Sequence, residues 1–172
     1  MSEVKVIFFT GLKKAIIDEV ISYLPGGYDL TILDRESTKK QQIDAVKDAD
    51  FLLCYGMDPS DEVVRAAEKC RLVQLLAAGY DRVNLTLLRE LEIPCANNGG
   101  ANSWAVSDHA LLLMLSIYKQ LLASDPATRQ GRWNEPITGQ NTFEMAGKKV
   151  GVLGIGNIGK QVAKRVQSFD AQ

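Results

Sequence analysis

Residues 149–160 read Lys-Val-Gly-Val-Leu-Gly-Ile-Gly-Asn-Ile-Gly-Lys, an apolar run followed by three spaced glycines. Gly154, Gly156 and Gly159 fit the G-x-G-x-x-G turn, which joins the first strand of a βαβ unit to a helix whose N-terminus holds a diphosphate. Gly154 allows the tight turn, Gly156 lets the backbone approach the diphosphate, and Gly159 lets the helix pack on its strand. The context agrees, because Lys149–Leu153 is a predicted strand and a helical pattern follows.

The N–H groups of Asn157 and Ile158 are expected to point at the phosphate oxygens of NAD or NADP, at the positive end of the helix. An alternative stays open, in which the turn joins strand and helix and binds nothing. The acid that would hold the adenosine ribose is expected about 20 residues past the turn, beyond Gln172. The sequence therefore does not separate NAD from NADP, and we expect weak or absent binding. A strand at Lys149–Leu153 without neighbours is expected to be disordered, to join another sheet or to pair with a second copy.

Composition excludes several classes of protein. Of the 172 residues, 46% are hydrophobic and 24% charged, and the formal net charge of −1 gives no reason to expect nucleic acid or a membrane surface as a partner. No apolar run approaches the roughly 18 residues of a membrane-spanning helix, and the N-terminus lacks a secretory pattern. Cys54, Cys70 and Cys95 form no C-x-x-C pair, so we expect buried reduced thiols, no metal site and a cytoplasmic protein.

Short apolar runs alternate with helical patterns over the first hundred residues. The predicted strands are Val4–Phe9, Tyr28–Leu33, Phe51–Cys54, Leu72–Leu76 and Ile93–Ala96. The predicted helices are Leu12–Leu24, Thr38–Lys47, Asp61–Lys69 and Leu85–Leu91. This alternation predicts an α/β fold with a doubly wound parallel sheet that is covered by helices on both faces.

The pattern then changes to a long helix. Trp104–Leu122 is apolar around much of its girth, which predicts a buried helix or one that forms an oligomer interface. Asp125-Pro126 is expected to begin a short helix, and Gly131–Gly147 is a predicted loop. We expect Trp104 and Trp133 to be buried as anchors.

Other motifs precede the glycine turn. They are, in order, Ala78–Asn84 (AGYDRVN), Ile93–Asn102 (IPCANNGGAN), Val106–Leu111 (VSDHAL) and Gly131–Trp133 (GRW). Their order and spacing resemble the D-isomer-specific 2-hydroxyacid dehydrogenases, a family that includes glyoxylate/hydroxypyruvate reductases and phosphoglycerate dehydrogenases. Asp108 lies where the family usually has Glu, and Gly99 where it often has Thr or Pro.

The resemblance implies a flavodoxin-like substrate-binding domain over residues 1–100. Residues 101–172 are then an interdomain or dimerisation helix and the first βα unit of an incomplete Rossmann NAD(P)-binding domain. The implied partner is a small 2-oxo or 2-hydroxy acid. The apolar surface of the 104–122 helix separately predicts a homodimer formed through that helix.

The same resemblance implies where substrate and cofactor lie. The amides around Ala78 and Gly79 receive the substrate carboxylate, and Tyr55 and Gly56 lie on the same rim. Val106 approaches the nicotinamide. From the pattern alone, Gly79 can equally be a plain turn glycine and Val106 a core residue.

No catalytic residue is assigned, because the family's Arg, Glu and His all lie downstream of the glycine turn, beyond this chain. His109, the single histidine, is interpreted as structural, and Arg129, Arg132 and Arg165 as surface or loop residues. We therefore expect the N-terminal part of an NAD(P)-dependent D-2-hydroxyacid dehydrogenase, inactive by itself. The alternative is a non-catalytic dimerisation or regulatory module derived from that family.

Overall fold

The computed structural model describes residues 4–133 and 141–172, and the chain divides into two compact units, Met1–Gly99 and Gly100–Gln172. The first unit contains strands β1 (Val4–Thr10), β2 (Tyr28–Leu33), β3 (Phe51–Tyr55), β4 (Leu72–Leu75) and β5 (Cys95–Ala96). Its helices are α1 (Lys14–Ser22), α2 (Lys39–Val46), α3 (Asp61–Ala66) and α4 (Leu85–Glu90). The strands form one parallel sheet in the order β2-β1-β3-β4-β5, which confirms the predicted α/β fold.

One face of this sheet carries the hydrophobic core. Successive side chains of a strand point to opposite faces, so Ile7 and Phe9 of β1 share a face with Leu52 of β3 and Val73 of β4. All four are buried and pack in one cluster with residues of α2, α3 and α4: Val46, Val63, Val64, Leu87 and Leu88. Burial at this density stabilises the unit by roughly 1.5–3 kcal/mol for each large side chain.

The opposite face is only partly covered. The chain moves one way from β1 to β2 and the other way from β3 to β5, so right-handed crossovers place α1 alone on this side. An apolar groove is left open, lined by Val6, Leu24, Pro25, Tyr28, Phe51, Leu53, Leu72 and Gln74. Helices therefore lie on both faces of the sheet, as predicted, and the described residues leave this part of the α1 face uncovered.

Side-chain caps explain where two of the helices begin. Thr38 and Gln41 form a reciprocal capping box at the start of α2, because each side chain bonds the backbone N–H of the other. Asn84 caps α4 by accepting a hydrogen bond from the N–H of Leu87. Helix α3 ends at Ala66, before the predicted Lys69, and α4 ends at Glu90, next to the predicted Leu91.

The second unit contains α5 (Ser103–Tyr118), α6 (Leu121–Arg129) and α7 (Asn157–Gln167). The single helix predicted over 104–122 is wrong, because Gln120 adopts a left-handed φ of 50° and separates α5 from α6. The helix start predicted at Asp125-Pro126 is also wrong, since Pro126 lies inside α6. Left-handed residues at helix ends are usually glycine or asparagine, so Gln120 gave no signal in the sequence.

The segment before the glycine turn differs from its prediction. Lys149–Leu153 forms no strand, and the described part of the second unit contains no sheet. It is ordered nonetheless: the N–H of Val150 donates to the carbonyl of Gln172 (2.7 Å), and the N–H of Gln172 donates to the carbonyl of Lys148 (2.8 Å). The two bonds flank Lys149 as in a parallel pair, so the segment pairs with its own chain and the expectation of disorder is wrong.

Helices α5 and α7 pack around a small apolar cluster that includes Val162 and Val166. Arg165 of α7 crosses to α5, where its Nε lies 2.6 Å from Asp108 Oδ1 and its guanidinium lies 5.1 Å from the Trp104 ring centre. The Arg165 side chain is only 17% exposed, so its interpretation as a surface residue is wrong. Among the described helices, none has the length and apolar content needed to cross a membrane.

The burial predicted for the two tryptophans is also wrong. Trp104 is 59% exposed and Trp133 is 79% exposed. Trp104 is instead held on the surface of α5 by the Arg165 guanidinium over its ring, a cation–π contact of about 0.5–1 kcal/mol at an exposed site.

Candidate functional site

In open parallel sheets, ligands bind at the carboxyl ends of the strands, where the strand order reverses. In this sheet that point lies between β1 and β3. Here the two loops touch, because the N–H of Gly11 donates to the carbonyl of Tyr55 at 3.0 Å. A Cβ added to Gly11 would lie 2.9 Å from the Gly56 carbonyl oxygen. The reversal point is therefore closed by the protein itself.

An open cleft lies one strand further along, between the loops that follow β3 and β4. It encloses about 150 Å³ and is lined by Cys54, Gly56, Asp58, Leu75, Ala77, Gly79, Tyr80, Asp81, Arg82 and Val83. The cleft thus brings together two of the residues predicted to bind substrate, Gly56 and Gly79. Tyr55 and Ala78 are their neighbours in the chain, and Tyr55 is partly exposed.

Two backbone N–H groups in the loop that follows β4 point the same way. The carbonyl of Ala77 accepts from the N–H of Asn98 at 3.0 Å, and the carbonyl of Ala78 accepts from the Asn97 side-chain amide at 2.7 Å. Carbonyl and N–H point in opposite directions in a trans peptide, and the described residues contain no cis peptide. The N–H groups of Ala78 and Gly79 therefore both point away from β5. Within the described residues neither N–H group has an acceptor.

Gly79 is not required by the backbone. Its φ lies outside the left-handed region, and a Cβ added there would meet only Asp81 Oδ2, at an ordinary 3.6 Å. Gly56, in contrast, has a φ of 72°, which favours glycine in its turn. The plain turn interpretation therefore applies to Gly56, whereas the space beside Gly79 leaves room for a ligand to approach the main chain.

Two carboxylates, Asp58 and Asp81, and one guanidinium, Arg82, line the cleft, so its formal charge is −1. Arg82 Nε lies 3.9 Å from Asp58 Oδ2, and Asp81 belongs to the same lining. The Asn84 amide donates to Asp61 Oδ2 at 2.8 Å, which ties the loop after β4 to the start of α3.

The cysteines do not supply a reactive thiolate. Burial raises the pKa of Cys54, at the base of the cleft, to about 12, and burial also raises the pKa of Cys70 and of Cys95. Cys54 is buried as expected, whereas the other two are half-buried. Within residues 4–133 and 141–172, no cluster of His, Cys, Asp and Glu has metal-binding geometry.

The glycine turn of the second unit has the shape that its spacing predicts. Gly154 has a φ of 90°, which favours glycine. A Cβ on Gly159 would overlap the Gly154 carbonyl, so helix and turn approach too closely for any side chain. Gly156 precedes α7 with extended backbone, and a Cβ there would meet nothing within 4 Å. Backbone conformation explains the glycine at position 154, and close packing explains the glycine at position 159. Neither explains Gly156, where an added Cβ would point into open space.

The other predicted cofactor residues surround this turn or lie on α5. Asn157 and Ile158 open α7, and their N–H groups have no acceptor among the described residues, as is usual in a first helical turn. The Asn157 side chain packs against Gly100, where an added Cβ would lie 2.7 Å from Asn157 Nδ2. Val106 is 38% exposed, so its alternative interpretation as a core residue is wrong.

The residues excluded from catalysis are on the second unit. His109 is exposed on α5 and makes no hydrogen bond within the described part of the chain, so it is not the bonded structural histidine that was expected. Arg129 pairs with Asp125 on the same helix at 2.9 Å. Sequence reasoning missed Asn97, whose contact with Ala78 joins residues 19 positions apart and has no local signal.

Comparison with known proteins identifies a family match over nearly the whole chain. The family model for the catalytic domain of D-isomer-specific 2-hydroxyacid dehydrogenases matches residues 6–170. The glyoxylate reductase of Korarchaeum cryptofilum is 32% identical over 136 residues, covering 77% of this chain and 41% of that protein. The D-3-phosphoglycerate dehydrogenase of Mycobacterium bovis is 34% identical over 128 residues, covering 74% of this chain and 24% of that protein. The chain thus spans half or less of the length of these curated relatives.

Solved structures share the fold. The 2-hydroxyacid dehydrogenase of Ketogulonicigenium vulgare Y25 superposes with a TM-score of 0.80 at 22% identity, over 100% of this chain and 54% of that one. The NADPH-dependent glyoxylate/hydroxypyruvate reductase of Sinorhizobium meliloti was solved with NADP and malonate. It superposes with a TM-score of 0.74 at 21% identity, over 99% of this chain and 52% of that one. Given the family match across residues 6–170, the chain belongs to the D-isomer-specific 2-hydroxyacid dehydrogenase family of oxidoreductases.

Proposed function

We propose that this chain supplies the acid-binding part of an NAD(P)-dependent dehydrogenase that interconverts a small 2-oxo acid and its D-2-hydroxy acid. Family membership supports the reaction class, and the relative solved with NADP and malonate supports the choice of ligands. The observation that carries the proposal is the pair of N–H groups of Ala78 and Gly79, which point away from β5 and have no acceptor among the described residues.

The substrate carboxylate binds to this pair of N–H groups. Each of its two oxygens accepts one hydrogen bond, and bonds to a charged acceptor are about twice as strong as neutral ones. Gly79 has no Cβ to block that approach, and Tyr55 and Gly56 form the facing rim. Arg82, the one cation in this lining, has a 79% exposed side chain and lies 3.9 Å from Asp58.

The second unit supplies contacts for the cofactor diphosphate. The residues fit the group, because a Cβ at Gly156 would occupy the open space in front of the first turn of α7. The N–H groups of Asn157 and Ile158 bind phosphate oxygens at this positive helix end, and Val106 contacts the nicotinamide. The bound cofactor, NAD or NADP, supplies the hydride. Weak binding is expected of this chain by itself.

Gly79→Ala tests the acid site directly. The added methyl group lies beside the N–H pair, so affinity for oxamate, a stable 2-oxo acid analogue, is expected to fall about tenfold, while the free energy of unfolding changes by less than about 0.5 kcal/mol. NMR titration of the backbone amides measures the affinity, and urea unfolding measures the stability. Gly26→Ala is the matched control, because a Cβ there meets nothing within 4 Å. Unaltered oxamate affinity in Gly79→Ala would count against the proposal.

A second candidate function, a non-catalytic dimerisation module, is favoured by the surface of α5. Leu112, Leu113 and Ile117 are 52%, 50% and 69% exposed, and Leu122 at the start of α6 is 88% exposed. They line one apolar groove with Ser116, Gln120 and Ala123. Contiguous exposed apolar surface of this kind marks interaction sites, and the partner that we propose is a second copy of the chain.

The oligomeric state tests this candidate. Ile117→Glu puts a charge into the middle of the proposed interface and is expected to weaken the dimer at least 30-fold, about 2 kcal/mol. Size-exclusion chromatography with light scattering measures the molar mass over a range of concentrations. Ile16→Glu, a change at a 45% exposed position of α1, serves as the matched control. A parent chain that stays monomeric at high concentration refutes the dimer.

A further inference from the structure

Asn97 immediately follows β5, and its Nδ2 donates a 2.7 Å hydrogen bond to the carbonyl of Ala78, at the end of the neighbouring strand. We propose that Asn97 is a positioning residue, which rotates the peptide between Ala78 and Gly79 so that the Gly79 N–H faces the substrate carboxylate. The inference rests on the proposed function, because it assigns the device that orients the proposed acid site.

The geometry separates the work of Asn97 from that of its neighbour. In a regular strand, successive carbonyls point to alternate sides. Beyond the last paired residues of β4 and β5, Gln74 and Ala96, the N–H of Asn98 holds the carbonyl of Ala77 on the β5 side at 3.0 Å. A chain that continued in strand conformation would turn the next carbonyl, that of Ala78, away from β5 and the N–H of Gly79 toward it. The Asn97 amide holds the Ala78 carbonyl on the β5 side instead, so that two consecutive N–H groups point the same way.

Glycine makes such a constraint necessary. Without a Cβ, Gly79 has more accessible backbone conformations than any other residue, and its N–H has no acceptor among the described residues. The bond from Asn97 is thus the contact that selects one orientation of this peptide. A neutral amide donor suits the task, because it stabilises the carbonyl and places no negative charge beside the anion site.

The test uses the 172-residue chain with Asn97→Asp and Asn97→Ala. Gln42→Ala is the matched control, because the Gln42 amide donates to the backbone carbonyl of Ser37 at 2.9 Å. Asn97→Asp keeps the shape of the side chain but replaces the donor N–H₂ group by an oxygen. In ligand-free protein, the amide resonance of Gly79 is expected to shift in both Asn97 variants and to stay in place in Gln42→Ala. The dissociation constant for oxamate, measured by NMR titration, is expected to rise about tenfold in both Asn97 variants and to be unchanged in the control.

Acid distinguishes positioning from a general structural role. A protonated carboxyl is a donor, so Asn97→Asp is expected to regain part of its oxamate affinity between pH 7 and pH 4, relative to the parent at each pH, whereas Asn97→Ala does not. An unshifted Gly79 resonance in ligand-free Asn97→Asp overturns the inference. Shifts spread over all of β4 and β5 overturn it too. If the parent chain itself shows no oxamate response at Ala78 and Gly79, the proposed acid site fails, and this inference fails with it.

Discussion

Replacing Gly159 by alanine is expected to unfold the second unit while the first stays folded. The added Cβ would overlap the Gly154 carbonyl and would also lie 3.4 Å from Val152 Cγ1. A backbone oxygen cannot rotate away as a side chain can, and Gly154 is already held at a φ of 90°. Overpacking of this kind costs about 3 kcal/mol or more, which is a large fraction of the stability of so small a unit.

The chain provides a convenient reporter for this change. Both of its tryptophans, Trp104 and Trp133, belong to the second unit, so their fluorescence follows that unit alone, while far-UV circular dichroism follows both. In urea, the fluorescence midpoint of Gly159→Ala is expected to fall to low denaturant concentration, leaving a later transition in the dichroism. Gly156→Ala is the control. A Cβ at this position meets nothing within 4 Å and the backbone is extended, so the free energy of unfolding is expected to stay within about 1 kcal/mol of the parent value. A parent-like midpoint in Gly159→Ala would show that the turn is not as tight as described.

The sequence was most informative where a single structural requirement decides which residue type can occupy a position. The strands of the first unit lie within about two residues of their predicted bounds. Short continuous apolar runs between helical patterns are typical of buried parallel strands, and this made them predictable. The glycine turn was predictable for a similar reason. At Gly154 and Gly159 the backbone angle and the close packing each leave glycine as the residue that fits.

The features that the sequence did not reveal depend on contacts between distant residues. The helix break between α5 and α6 is at Gln120, a residue type that does not indicate a left-handed backbone as glycine or asparagine would. Arg165 was interpreted as a surface residue because nothing in its own helix shows that Asp108, 57 positions earlier, lies 2.6 Å from it. Tryptophan side chains are on average mostly buried in folded proteins. Trp104 stays exposed because the guanidinium of the same arginine packs over its ring at the surface.

The candidate site shows the same division. The general rule for parallel sheets predicted a site at the carboxyl ends of the strands, and the resemblance to a family selected the loops after β3 and β4, where the cleft lies. The closure of the β1–β3 reversal point was not predictable, because it depends on Gly11 approaching the carbonyls of Tyr55 and Gly56. The orientation of the Ala78–Gly79 peptide depends on Asn97, and only the folded chain brings that amide into reach.

The 172-residue chain is expected to show no measurable oxidation of NADH or NADPH with glyoxylate, hydroxypyruvate or pyruvate. Hydride transfer to a 2-oxo acid needs a cation or donor on the carbonyl oxygen and an acid that delivers a proton to it, contributions of about 10²–10³ and 10²–10⁴ in rate. The lining of the cleft contains no histidine, and the side chain of its one arginine, Arg82, is 79% exposed and lies 3.9 Å from Asp58. His109 is on α5, in the other unit.

Turnover at least 10⁴-fold below the 1–10³ s⁻¹ of ordinary enzymes is therefore expected, even when the acid site is intact. Absorbance at the reduced nicotinamide band measures it, with a full-length glyoxylate reductase assayed in parallel as the positive control. The oxamate titration on the same sample shows whether the chain is folded and binds the acid. Oxamate binding without turnover separates recognition from chemistry, because the N–H pair of Ala78 and Gly79 holds a carboxylate but delivers no proton to the reacting oxygen. Rapid cofactor oxidation by the pure chain would mean that a residue of these two units supplies the proton after all.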